Sequence, residues 1–232
     1  MESISATIIH ALSLLLTGDA ELWTIIGISF SISTTAILIA AGPAILCGFF
    51  LAYTEFPGRR LLISLFNTLL AVPAVVVGLT FYILLSRQGP LGDWKLLFTQ
   101  TAMVLGQIAL CFPLLVAMSH AAFQAVDKRA WETARTIGAN PFQAFFMILR
   151  EVRFGVFGAL VAGYGRIIAE VGASMMLGGN ILHYTRNIPT AIVLETSKGE
   201  LAQGIALGMV LIVLSFILIT TLHYLQGKGR VE

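Results

Sequence analysis

The chain has 232 residues, of which 57% are apolar and only 11% are charged. Because soluble domains carry about 25% charged residues, this composition excludes an ordinary soluble domain and indicates an integral membrane protein. The formal net charge of +2 carries little information, since the orientation of a membrane protein depends on where its basic residues lie. Cys47 and Cys111 occupy separate apolar runs, so neither a disulfide framework nor a metal cluster is predicted.

The first part of the chain predicts a short surface segment followed by one long crossing. Within residues 1–21, the apolar stretch 4–16 falls short of the roughly 20 residues that a helix needs to cross a bilayer, so we predict an interfacial N-terminal helix. Residues 22–54 lack Asp, Glu, Lys and Arg, and they predict the first membrane span, with a kink at Gly42-Pro43.

Four further apolar ranges predict the remaining spans of a single transmembrane domain. They are residues 61–86, 96–126, 150–182 and 201–227. A polar stretch, residues 183–200, separates the last two and is predicted to lie on the external side. The predicted fold class is therefore all-α and integral to the membrane, with about five transmembrane helices in one domain over residues 1–232.

The basic residues divide unequally between the two sides of this topology. Nine would lie on one side: Arg59, Arg60, Lys128, Arg129, Arg135, Arg150, Arg153, Lys228 and Arg230. Four would lie on the other: Arg87, Lys95, Arg186 and Lys198. Because cytoplasmic loops are enriched in Lys and Arg, we predict an external N-terminus and a cytoplasmic C-terminus. The charged loop 127–149 is then cytoplasmic.

The loop 127–149 predicts two short helices joined by a tight bend. An Ala-rich first helix would end at Gly138, because glycine adopts the left-handed conformation without a steric penalty. Asn140 is a favourable N-cap for the second helix. Pro141 at the first helical position loses only an amide hydrogen that would have no partner within the helix.

Glu-Thr-Ala at residues 132–134, followed after three residues by Gly138, resembles the EAA-x-x-x-G signature of ABC-importer permeases. The resemblance implies a type I importer fold in which this loop forms a coupling helix that docks on an ATP-binding subunit. The docking residues so implied are Glu132, Thr133, Ala134, Gly138, Ala139, Asn140 and Pro141. Arg150 and Glu151 replace the Leu and Pro with which the signature normally continues. An ordinary basic cytoplasmic loop is the alternative interpretation.

The span 150–182 differs from the others, because it contains charged residues and seven glycines. Arg166 and Glu170 are four residues apart, so on a helix they share one face and can form an ion pair. Burying either charge alone would cost roughly 2.5–3.5 kcal/mol on insertion scales. The pair either lines a translocation pathway or braces adjacent helices. We favour bracing, because a permanently exposed arginine would hold an anion too tightly to release it.

The sequence GRIIAEVGASMMLGGNI, residues 165–181, resembles the corresponding stretch of permeases for tetrahedral oxyanions. Its GGNI ending, and the LREVRFG that precedes it, resemble the tungstate branch most. The resemblance therefore implies tungstate as substrate, with molybdate or sulfate as alternatives. The candidate pathway or gate residues are Arg166, Glu170, Gly172, Ser174, Gly178, Gly179 and Asn180.

The resemblance also implies the partners of such a subunit in the inner membrane of a cell. They are a second copy of the chain, two cytoplasmic ATP-binding subunits, an external oxyanion-binding protein and membrane lipid, but no nucleic acid. The chain itself would need no cofactor, because ATP and magnesium would be used by the ATP-binding subunits. The sequence agrees with this division, since it contains no Walker Gly-rich loop.

A small ion-coupled secondary transporter and a membrane enzyme are the alternatives from other classes. The transporter would also place charges inside the membrane, but it usually shows inverted repeats, and none is visible in this sequence. An enzyme would need a nucleophile, an acid-base pair or a metal site. The four histidines are scattered without ligand spacing: His10, His120, His183 and His223. The sequence favours an importer subunit that is not itself an enzyme.

Overall fold

The computed structural model describes residue 13 and residues 20–225. Within these residues the chain is helical apart from turns and loops, as the composition predicts. The α-helices are α1 (Ala20–Tyr53), α2 (Arg59–Leu69), α3 (Ala74–Leu85), α4 (Gln100–Gln124), α5 (Lys128–Thr136), α6 (Pro141–Glu151), α7 (Arg153–Ile168), α8 (Gly172–Gly178), α9 (Ile188–Lys198) and α10 (Leu201–Leu225). A short 3-10 turn, Gly92–Trp94, lies between α3 and α4. Most of the predicted interfacial segment, and residues 226–227 of the last predicted span, lie outside the described residues.

The helices divide into unbroken and broken spans. α1 and α4 are each long and apolar enough to cross a membrane, and they continue through Pro43 and Pro113. α2 with α3, and α7 with α8, form two bent pairs with angles of 101° and 60°. Counting each pair as one span gives up to four crossings among the described residues, and the apolar helix α10 occupies the fifth predicted range. The ranges predicted as single spans at 61–86 and 150–182 therefore each contain a sharp break.

α1 and α4 approach closely because α1 presents a small residue at every turn. Ala36, Ala40 and Ala44 are at most 2% exposed. They share one core cluster with side chains of α4 and α7, namely Cys111, Leu115, Val116, Ala159 and Ile167. One turn further along α1, a Cβ on Gly48 would lie 2.8 Å from the backbone nitrogen of His120. The contact between the two helices thus depends on small side chains at these four positions.

The break between α2 and α3 follows from the local sequence. Residues 70–73 leave the helical path, and Pro73 caps α3 with an extended backbone, φ −61° and ψ 134°. A proline lacks an amide hydrogen and its ring clashes with the preceding helical turn. After the extended backbone of Pro73 the helix starts again at Ala74.

Residues 183–200, predicted to be a polar external stretch, contain the helix α9. Asn187 caps this helix through a capping box with Thr190. Ile188 is fully buried, and its amide donates to Ser29 Oγ of α1 at 2.7 Å. The sequence analysis did not predict this helix. The Asn-Ile-Pro sequence at its start is a signal for it, because an Asn cap followed by proline in the first turn is typical of a helix N-terminus.

Candidate functional site

The loop 127–149 folds as the sequence predicts, into α5 and α6 joined by a bend at Gly138. Gly138 has a left-handed φ of +92°. Asn140 caps α6 by accepting from the Gln143 amide at 2.8 Å, and the Gln143 side chain accepts from the Asn140 amide at 3.0 Å. Pro141 occupies the first turn of α6. The predicted left-handed glycine and N-cap are confirmed.

The bend itself is fixed by hydrogen bonds across it. The Ala139 amide donates to the Ala134 carbonyl at 3.0 Å, which closes the end of α5. The Arg135 guanidinium donates to the Ala139 carbonyl at 2.9 Å. A Cβ on Gly138 would meet nothing within 4 Å, so its backbone angle alone, and not lack of space, requires glycine.

Aromatic side chains fasten this helix pair to α1 and α4. The ring centroid of Phe49, in α1, lies 5.3 Å from those of Phe123 in α4 and Trp131 in α5, and 4.8 Å from that of Phe145 in α6. We call these four residues the aromatic anchor. Ile148 of α6 is buried in the same cluster. The anchor therefore packs α5 and α6 against both α1 and α4.

The other side of the helix pair is exposed and partly apolar. Ile137 is 78% exposed and Phe142 is 70% exposed, one on each side of the bend. The rings of Phe142 and Phe146 lie 4.7 Å apart. Large exposed apolar side chains in a charged loop are typical of a surface that binds another protein. The sequence analysis did not single out Ile137 and Phe142, although two large apolar residues that flank a predicted bend are visible in the sequence.

The predicted docking residues occupy different places on this helix pair. Ala134 is buried at 2% exposure, so it packs the hairpin together. Glu132 and Thr133 are exposed on α5, and Asn140 and Pro141 are exposed at the start of α6.

Arg166 and Glu170 form the predicted ion pair, with 2.9 Å between Arg166 Nη1 and Glu170 Oε2. The Glu170 carboxylate also accepts from the amides of Gly172 at 2.8 Å and Ala173 at 3.3 Å. It therefore caps α8 where α7 has ended, and it satisfies backbone amides that the break would leave free. We call this break, residues 168–172, the elbow.

The elbow lies beside the start of α3. A Cβ on Gly172 would lie 2.7 Å from Val75 Cγ2, and a Cβ on Gly78 would lie 2.9 Å from Ala173 Cα. These distances show that α3 and α8 touch where neither glycine has room for a side chain. The two broken spans thus meet next to their breaks. Discontinuous helices near the middle of a membrane are typical of substrate pathways in transport proteins.

The two members of the ion pair differ in exposure. The Arg166 side chain is 42% exposed and the Glu170 side chain is 7% exposed. Ala162 and Ala169 are exposed on the same face of α7, four residues before and three residues after Arg166. An arginine within a membrane span is costly against lipid, so this face of α7 requires protein or water against it.

The remaining candidate pathway residues hold α8 in place. Ser174 and Gly178 are buried, and a Cβ on Gly178 would lie 2.6 Å from Met103 Sδ of α4. Gly179 ends α8 with φ +68°, and Asn180 follows with φ +51°. Of the seven candidates, only Arg166 and Gly179 are exposed. Within the described residues, no group of three or more His, Cys, Asp or Glu side chains is placed to hold a metal ion.

Residues 44–226 match the family described as the binding-protein-dependent transport system inner membrane component. The chain belongs to this family. Over 228 residues it is 38% identical to the tungstate uptake system permease protein TupB of Peptoclostridium acidaminophilum, which covers 98% of this chain and 100% of that protein. Over 209 residues it is 30% identical to the molybdenum transport system permease protein ModB of Escherichia coli strain K12, which covers 83% of this chain and 91% of that protein.

The fold agrees with this family. It is similar to the crystal structure of a bacterial ABC transporter involved in the import of the acidic polysaccharide alginate, with a TM-score of 0.76. The likeness covers 94% of this chain and 83% of that chain at 16% sequence identity, so it concerns the fold alone. The predicted importer-permease fold and the membrane-embedded class are confirmed.

Proposed function

We propose that the chain is the permease subunit of an ATP-driven importer for tungstate. The observation that carries this proposal is the full-length similarity to a tungstate uptake permease at 38% identity, against 30% for a molybdenum permease. The GGNI sequence at the end of α8 supports the same branch. All three of tungstate, molybdate and sulfate are tetrahedral oxyanions. Molybdate is the second candidate and sulfate the third.

In this proposal the α5–α6 helix pair docks on a cytoplasmic ATP-binding subunit. The exposed Ile137 and Phe142 would supply apolar contacts for a groove on that subunit. The aromatic anchor would transmit its movement to α1 and α4. Two ATP-binding subunits would serve two copies of the chain, and ATP and magnesium would be bound there. The N-terminus would be external and the C-terminus cytoplasmic, in the inner membrane.

A second copy of the chain would complete the pathway. The elbow and the break before α3 leave non-helical backbone within spans, and such backbone is tolerated only where protein or water covers it. Arg166 adds a partly exposed charge beside the elbow. Two copies related by a two-fold axis would enclose both breaks between them, with Ala162, Arg166 and Ala169 towards the axis.

Glu170 would brace the elbow rather than bind the substrate, because Arg166 and two backbone amides already occupy its carboxylate. The nearby carboxylate also compensates much of the positive charge of Arg166. An oxyanion delivered by an external binding protein would therefore pass Arg166 without binding too tightly to leave.

The test is ATP hydrolysis and uptake by the complex reconstituted in liposomes with its ATP-binding subunit and its external binding protein. Tungstate, molybdate and sulfate are added in separate experiments. We expect tungstate to stimulate ATP hydrolysis at a lower concentration than either of the other two ions. If sulfate stimulates ATP hydrolysis at lower concentrations than tungstate does, the assignment of tungstate as the substrate is wrong. Uptake without ATP, driven by an ion gradient, would overturn the importer class in favour of a secondary transporter.

A further inference from the structure

Gln107 of α4 is a buried polar residue at the elbow. It is 2% exposed, and its Nε2 donates to the carbonyl of Ile167 at 3.2 Å. Ile167 lies in the last turn of α7, just before the elbow. The Oε1 of Gln107 has no hydrogen-bond partner within the described residues. A buried acceptor without a partner is unfavourable and is rare in proteins, so its presence requires a reason.

Ser174 of α8 is a buried hydrogen-bond donor that also lacks a partner among the described residues. It is 1% exposed, and within the part of the chain that the structure describes its Oγ also has no partner. A serine hydroxyl donates one hydrogen bond, whereas the amide oxygen of glutamine only accepts. The two partnerless groups are therefore chemically matched.

α4 and α8 run in opposite directions. The amide of Phe98, two residues before α4, donates to the carbonyl of Leu177 near the end of α8 at 2.8 Å. Further along α4, Gln107 contacts Ile167, which precedes α8. Moving towards the C-terminus of α4 therefore means moving towards the N-terminus of α8.

This antiparallel packing places Gln107 opposite Ser174. Met103 of α4 contacts α8 at Gly178, where a Cβ would lie 2.6 Å from the Met103 sulfur. Gln107 is four residues after Met103, and Ser174 is four residues before Gly178. Residues four apart on a helix share one face, one turn along the axis. Both steps lead in the same direction, so each polar residue lies one turn from the contact between Met103 and Gly178, on the side of the elbow.

We propose that Gln107 and Ser174 form a latch between α4 and the elbow. The latch is open in this conformation, and it closes through a hydrogen bond from Ser174 Oγ to Gln107 Oε1 in another state of the transport cycle. This rests on the proposed function only in that the elbow moves during transport. Closing would satisfy both buried groups, so a small tilt of α8 about its contact with Met103 at Gly178 gains a hydrogen bond that the present conformation lacks.

Gln107 would then be a positioning residue for the elbow, because its Nε2 holds Ile167 before the elbow and its Oε1 would hold Ser174 after it. α4 also contributes Phe123 to the aromatic anchor at its other end. One unbroken helix thus connects the α5–α6 docking pair with the latch, and a displacement at the docking pair reaches the elbow through it.

State-dependent cross-linking tests the latch in the assembled complex, after Cys47 and Cys111 have been replaced by serine. The test pair is Gln107→Cys with Ser174→Cys, and the control pair, one turn away, is Met103→Cys with Gly178→Cys. We expect the rate of disulfide formation in the test pair to differ at least about fivefold between the nucleotide-free and ATP-bound complexes, because only one state brings the pair within bonding geometry. The control pair should form at similar rates in both states. Equal rates for the test pair, or none while the control pair forms, would overturn the latch.

Single substitutions give a second, independent measurement. Gln107→Met and Ser174→Ala should each lower the stimulated ATPase rate, and the double variant should be no slower than Gln107→Met alone, because both changes remove the same bond. Ser119→Ala is the matched control. It also removes a buried hydroxyl that has no partner among the described residues, in α4 but away from the elbow, and should leave the rate unchanged. If the decreases in ATPase rate caused by the two single substitutions add up in the double variant, the latch is contradicted.

The failure of the latch can be told apart from the failure of the proposed function. If tungstate fails to stimulate the unmodified complex, the proposed substrate is wrong, whereas the cross-linking comparison needs only ATP binding.

Discussion

Gly138 turns the chain between α5 and α6 with φ +92°, and open space surrounds the position of its missing side chain. We predict that Gly138→Val strains this turn by about 1–2 kcal/mol, because the left-handed conformation brings a Cβ too close to the backbone. α6 would then be redirected. A penalty of about 1.4 kcal/mol lowers the population of its native orientation about tenfold, so stimulation of the partner ATPase should fall by a similar factor. The measurement is ATP hydrolysis by the reconstituted complex with and without loaded binding protein.

Gly138→Asn is the control for this change, because asparagine tolerates the left-handed conformation better than other residues with a side chain. It should retain most of the stimulation. Normal stimulation in the valine variant would contradict the coupling role of the bend. An equal loss in both variants would show that side-chain bulk at the docking surface, and not backbone strain, is responsible.

Glu170 contributes more to the stability of the elbow than Arg166 does. Its carboxylate accepts from Arg166 and from two backbone amides, whereas Arg166 is 42% exposed. We predict that Glu170→Ala lowers the free energy of unfolding by about 3 kcal/mol, the lower end for breaking a buried ion pair. Arg166→Ala should cost less, because the carboxylate keeps its two amide donors. Thermal unfolding of the purified protein in detergent measures both.

The neutral double variant Arg166→Met with Glu170→Gln should be milder than Glu170→Ala, since the glutamine oxygen can still accept from the amides of α8. A loss from Arg166→Ala as large as that from Glu170→Ala would show that Glu170 does not act as the cap of α8.

The close contact between the helices α1 and α4 depends on the missing side chain at Gly48. Gly48→Val should destabilise the protein by about 1–3 kcal/mol, because its Cβ would lie 2.8 Å from the backbone nitrogen of His120 and the helices would have to separate. Gly27→Val, in the same helix but with nothing within 4 Å of its Cβ, is the matched control and should be tolerated. The readout is the melting temperature. If both substitutions lower the melting temperature by a similar amount, the loss comes from helix propensity and not from packing between α1 and α4.

The helix boundaries separate what local chemistry can predict from what it cannot. The end of α5 at Gly138 and the start of α6 at Asn140-Pro141 follow from side-chain and backbone preferences that act within a few residues. The start of α9 obeys the same chemistry, but the polar composition of residues 183–200 hid it. The elbow was not predicted, because its cap is a carboxylate that the sequence alone presents as half of an ion pair.

For the whole molecule, we propose that a second copy covers the exposed face of α7. Ala162→Cys, in a chain whose two native cysteines have been replaced, should form a disulfide-linked dimer in the membrane, because we place this face at a two-fold axis. Ile212→Cys on α10, where the native side chain is 69% exposed, should not. The assay is non-reducing electrophoresis after mild oxidation. A dimer from Ile212→Cys but not from Ala162→Cys would assign the interface to the exposed face of α10 instead.

The structure also corrects the choice of positions for such an experiment. Cysteines along residues 172–179 would be natural from the glycine-rich sequence, but Ala173, Ser174, Leu177 and Gly178 are buried against other helices of the same chain. A cysteine there would report contacts within one copy.

The sequence by itself determined the membrane class, the bend at Gly138, the cap at Asn140 and the Arg166–Glu170 pair. Each of these follows from composition or from chemistry between residues close in the chain. Only the tertiary structure decided that two of the apolar ranges are broken, that the breaks lie side by side, and which residues near the elbow are buried. The physical reason is that a side chain facing lipid and one facing another helix are equally apolar in a membrane protein, so hydrophobicity does not distinguish them. Which face packs is decided by contacts between distant residues, such as Gly78 with Ala173 and Gly48 with His120.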